Sequence, residues 1–127
     1  MNLNDAMNAH VGWKTKLRGA ITKKEQLDAS TISKDDCCEF GKWLHGDGKR
    51  EFASLTKDAT EHFNDCVKKH ADFHRAAGVV AKLINERKYI EAETAIGAGS
   101  AYAAASSAVG VAIQKLKKDV AGETDSW

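Results

Sequence analysis

With 127 residues, 43% hydrophobic and 29% charged, the chain can bury a real core and has an ordinary globular composition. Nineteen basic and eighteen acidic residues give a formal charge of +1, and no stretch interleaves basic with aromatic side chains, which argues against a nucleic-acid surface. Three cysteines, two of them the neighbours Cys37 and Cys38, make no disulfide framework; with no signal peptide, a reducing cytoplasm is the expected compartment.

The chain contains no proline, which favours long helices, and neither an internal repeat nor a linker divides it. Residues 1–127 are expected to form a single domain. The first helix begins after Asn2 or Asn4, either of which can cap it. Its apolar positions Leu3, Met7, Trp13 and Leu17 recur at steps of three and four except for one gap, which His10 fills. Residues 23–28 read as a loop. Ser33 is then placed to cap a short second helix, with Asp36 three residues on as the partner of a capping box, and His45-Gly46-Asp47-Gly48 reads as its end.

The third helix is expected from about Arg50 to Glu86. Its stripe runs through Phe52, Leu55, Ala59, Phe63, Cys66, His70, Phe73, His74, Ala77, Val80 and Ile84. The fourth is expected from about Tyr89 to Val120, with Gly99 and Ala103 letting a neighbour approach closely. Residues 95–113 carry no charge, but Ala, Gly and Ser insert poorly into lipid, and a closely packed soluble helix explains the stretch better. No membrane contact is expected, and a tail over about 121–127 is expected to be flexible. Three long helices and one short one, joined by short breaks, describe an all-α, antiparallel four-helix bundle.

His70 and His74 stand four residues apart, so their rings project from one helix face and can share a metal ion. An unpaired polar ring on an apolar stripe costs free energy, and His10 raises the same question from another helix. A cysteine can complete the set. Cys38, in the segment Cys38-Glu39-Phe40-Gly41-Lys42-Trp43-Leu44 near the start of the short helix, would gain from the helix dipole. Cys66, one turn before His70 on the same stripe, is its rival on geometry. Three imidazoles and one thiolate suit tetrahedral zinc. His45 and His62 read as solvent-facing.

The segments His10-Val11-Gly12-Trp13, Cys38 to Leu44, and His70-Ala71-Asp72-Phe73-His74 resemble, in order and spacing, the three signatures of the chemoreceptor zinc-binding (CZB) domain. The resemblance covers residues 10 to 74. It implies zinc held by His10, Cys38, His70 and His74, with the thiolate on Cys38 rather than Cys66, and leaves Cys37 as an extra thiol. Asp35 and Asp36 are placed to orient a ligand from behind, and Trp13 and Trp43 to pack around the site.

A site with four protein ligands leaves no open position for a substrate water, so no enzyme is expected. A zinc-bound sulfur can still be oxidised. The expectation is therefore a regulatory or sensory module whose Cys38 answers zinc level or an oxidant such as hypochlorous acid; a purely structural, zinc-stabilised dimerisation module is the alternative. The resemblance further implies a homodimer, cytoplasmic placement, and a parent protein that is a bacterial chemoreceptor or a diguanylate cyclase.

Overall fold

The computed structural model describes the backbone of residues 1–125 and the side chains of residues 1–120; the expected flexible tail over 121–127 falls outside the fully described residues. Everything regular among the described residues is helical: α1 (Leu3–Lys23), α2 (Ala29–Ile32), α3 (Glu39–Leu44), α4 (Asp47–Ala53), α5 (Lys57–Asn85), α6 (Tyr89–Ala95) and α7 (Ala101–Asp125).

Caps set the boundaries. Asn2 accepts the Asp5 N–H at 3.1 Å to start α1, and α1 ends where Lys24 turns left-handed at φ 56°. Thr56 opens α5 by accepting the Ala59 N–H at 3.1 Å. The helix expected from Arg50 to Glu86 is therefore two, α4 and α5, separated at Ser54–Thr56. The helix expected from Tyr89 to Val120 is likewise divided, and Ser100 caps α7 by accepting the Ala103 N–H at 3.1 Å. Gly99 serves that division. Its φ is +82° and nothing approaches the position of a Cβ there, so it supplies a backbone turn rather than the close helix contact expected of it.

The short cysteine-bearing helix starts later than the sequence suggested. Ser33 closes the four-residue α2, which Asp28 caps by accepting the Thr31 N–H, and Cys38 is the residue that caps α3.

α5 is the spine. Its apolar positions at steps of three and four, among them Phe63, Cys66, Phe73, Ala77 and Ile84, are all buried. Against it lies α7 in the opposite direction, since His62 on α5 bonds Asp119 at 2.9 Å while Phe73 packs on Tyr102 near the other end. α1 packs on α7 and meets α6 and α5 as well. The segment from α2 to Cys38 lies over α5, with Ser33 so close to Gly78 that a Cβ there would sit 2.6 Å from it. Asn85 ties the preceding loop down by accepting the Leu27 N–H and donating to the Leu27 carbonyl, both at 2.7 Å. No described helix is long and apolar enough to cross a membrane.

Candidate metal centre

Among the described residues, three polar side chains are buried in the core, and all are histidines: His10, His70 and His74. α1 delivers His10 through the gap in its apolar stripe, and α5 delivers the other two from successive turns. Cys38 meets them from the opposite side, half-buried at the cap of α3. One ligand atom from each of the four lies within 4.8 Å of every other. The Cys38 sulfur is 3.3 Å from His70 Nε2 and 3.5 Å from His74 Nε2, and those two nitrogens are 3.1 Å apart. Tetrahedral zinc with N and S bonds of about 2.0–2.3 Å needs donor separations of roughly 3.3–3.7 Å. Three of the four donors are already near that spacing.

Backbone carbonyls choose the tautomers. His10 Nδ1 donates to the Ala6 carbonyl at 2.7 Å, and His74 Nδ1 donates to the Ile32 carbonyl at 2.8 Å. Each bond places the ring's proton on Nδ1 and turns an Nε2 lone pair toward the other donors, the arrangement a metal-bound histidine needs. His10 Nε2 is then buried with no hydrogen-bond partner. An unsatisfied buried acceptor costs about 1–3 kcal/mol, and a cation at the centre of the four donors removes that cost. The residues present fit zinc.

Electrostatics point the same way. Burial lowers the pKa of His10, against its bond to the Ala6 carbonyl, and likewise lowers that of His74. For His70, burial followed by the neighbouring His74 and His10 brings the value down to about 2. All three rings are thus neutral, with lone pairs free to bind a metal. Burial raises the pKa of the Cys38 thiol, opposed by the Gly41 N–H, which donates to its sulfur at 3.3 Å. Metal uptake at neutral pH must therefore displace a thiol proton.

Aromatic rings close the site. Phe40 stands edge-on to His10 and His70, with centroids 5.6 and 5.2 Å away, and Phe73 packs beside His10 at 5.3 Å. Trp13 packs edge-on to His74, and Trp43 stacks on Phe40 rather than touching a donor. Asp35 bonds His45 at 2.8 Å, and Asp36 lies 3.6 Å from the Cys37 sulfur, so their carboxylates bond residues outside the four-donor cluster. His62 pairs with Asp119 away from the cluster. Cys66 is fully buried, its thiol pushed up to about 12 by burial, and lies outside the cluster.

Two groups that orient the donors, the Ala6 and Ile32 carbonyls, escaped the sequence reading. Ala6 stands four residues before His10 and could have been inferred from the helix; Ile32 becomes adjacent only through the fold.

The family model for the "Chemoreceptor zinc-binding domain" matches residues 10–81, more than half of the chain. Among curated proteins and among solved structures nothing matches.

Proposed function

The chain belongs to the chemoreceptor zinc-binding domain family, and on that premise we propose that it is a sensory module in which His10, Cys38, His70 and His74 hold one zinc ion and Cys38 responds to zinc level or to an oxidant such as hypochlorous acid. The observation that carries this reading is an asymmetry among the donors. The three imidazoles are buried on the long helices α1 and α5, whereas Cys38 is half-buried at the cap of a six-residue helix. When bound, zinc would cross-link three elements and hold Cys38 as a thiolate.

Loss of the sulfur from the donor set frees α3 at its N-cap. Gly41 supports that coupling, because α3 leaves no space between Gly41 and the Asp35 carbonyl. Movement of Cys38 is thereby passed to the segment on both of its sides. The helices form an antiparallel four-helix bundle in this reading, with α3 as its movable piece, and the module is a homodimer attached to a chemoreceptor signalling domain or a diguanylate cyclase in the cytoplasm. It catalyses no reaction, and it makes no contact with nucleic acid or membrane.

The test is zinc release on treatment with hypochlorous acid, followed with a chromogenic chelator, for the parent protein and for Cys38→Ala. The reading expects oxidant-triggered release in the parent only. A parent that keeps its zinc under oxidant, yet unfolds when zinc is stripped, would instead be a purely structural module.

A further inference from the structure

Between α1 and the start of α3 lies a cavity of about 320 Å³ that reaches Cys38. Asp5, Ala9, Trp13 and Lys16 form one wall, and Cys38 and Glu39 stand on the other. The first four recur along α1 at steps of four, four and three and so share one face of that helix. We infer that this cleft is the port through which a small uncharged oxidant reaches the Cys38 sulfur, with Ala9 setting its width. The inference deepens the sensory reading above and rests on it for the role of Cys38, although the port itself is a property of the fold.

Access at the site is one-sided. His10, His70 and His74 are 3%, 0% and 2% exposed, and Cys38 is the one donor that is not fully buried. Ala6 and Ala9 carry the smallest side chains of the α1 lining, and of the two only Ala9 is exposed, leaving the passage open where a larger residue would cross it. Lys16 is drawn aside, its Nζ held 5.0 Å from the centroid of the Trp13 ring. Asp5 and Glu39 place two carboxylates beside the Lys16 ammonium and the Met1 amino group, so the charges at the mouth balance and offer an anion no net attraction. Hydrogen peroxide or hypochlorous acid, each with two heavy atoms and no charge, meets both conditions. With peroxide, the Cys38 thiolate attacks one oxygen; an S–O bond forms as the O–O bond breaks, and hydroxide leaves. Sulfur loses two electrons, peroxide is reduced, and Cys38 becomes a sulfenic acid.

The experiment uses the full chain carrying Cys37→Ser, which removes the exposed neighbouring thiol, in zinc-loaded and zinc-free forms. Modification of Cys38 by iodoacetamide and by hydrogen peroxide is timed by peptide mass spectrometry. Ala9→Trp and Asp5→Trp each place an indole across the mouth from an exposed helical position, Ala9→Ser is the small control, and circular dichroism checks the helices. A fall of at least tenfold in the Cys38 rate in either tryptophan variant, with Ala9→Ser like the parent, is the expected result. Unchanged rates in both tryptophan variants overturn the port. Because the zinc-free form reports on the passage alone, a parent that binds no zinc, with the tenfold fall still present in a tryptophan variant, would refute the sensory reading and leave the port standing. A zinc-loaded parent that releases its metal on oxidation at the same rate in every variant would do the reverse.

Discussion

Gly41→Ala adds one methyl group at the most confined point near the donors. The new Cβ would lie 1.7 Å from the Asp35 carbonyl oxygen, 2.8 Å from its carbon and 3.2 Å from the Asp36 Cα. All three are backbone atoms, so no side chain can swing away. Restoring ordinary contact at about 3.4 Å requires α3 and the 35–36 segment to part by about 1.7 Å. Cys38 stands three residues from Gly41 and from Asp35 and two from Asp36, and its sulfur takes the Gly41 N–H, so the displacement falls on the donor itself. Zinc–sulfur bonds of about 2.3 Å tolerate only about ±0.2 Å. Overpacking of this kind costs about 1–3 kcal/mol, and about 1.4 kcal/mol of that appearing in the bound state is a tenfold loss of affinity. The assay is competition for zinc against a chromogenic chelator, with cobalt substitution to read the sulfur-to-metal charge-transfer absorption. Affinity should fall at least tenfold and that absorption should weaken, while helix content is retained. Unchanged affinity with an unchanged cobalt spectrum would refute the argument that Gly41 positions the sulfur.

Acid should weaken the zinc-free protein. Burial holds His70 at about 2 and holds His10 and His74 below their ordinary value, whereas in the unfolded chain such rings protonate below about 6.5. Stability is therefore full above that pH and declines as pH falls toward the folded-state values, by about 2 kcal/mol at pH 5 for His70 alone. Urea titrations at pH 7.5 and pH 5 should show this loss, and a smaller one in His70→Leu; equal losses in the two proteins would contradict the assignment. Cys66→Ala removes a fully buried sulfur and should cost about 1 kcal/mol of stability without changing zinc stoichiometry, whereas a fall in stoichiometry would return Cys66 to the ligand set.

The three histidines were legible because a polar ring at an apolar register of a helix is a local signal, visible at His10, His70 and His74 without any tertiary knowledge. The choice between Cys38 and Cys66 was legible only through the family resemblance, not from helical position. Both sit at plausible helical positions, and what separates them is the path of residues 29–38 across α5, which brings Cys38 over His70 and His74 while Cys66 faces the core below. The same path explains the misplaced start of the short helix. Ser33 and Asp36 satisfy the local form of a capping box, but Ser33 is held against Gly78 and the Cys38 sulfur accepts the Gly41 N–H in its stead. Helix divisions at Ser54–Thr56 and at 96–100 cost little in hydrophobic periodicity, so the apolar stripe ran through them unbroken, and only the caps at Thr56 and Ser100 mark them.

The most direct measurement is elemental analysis of the purified protein beside four single alanine variants, at His10, Cys38, His70 and His74, all checked for retained helicity. One zinc per chain in the parent, lost or markedly weakened in every variant, is the result the four-donor centre predicts. A parent without zinc after reconstitution, or variants that all keep a full equivalent, would contradict it.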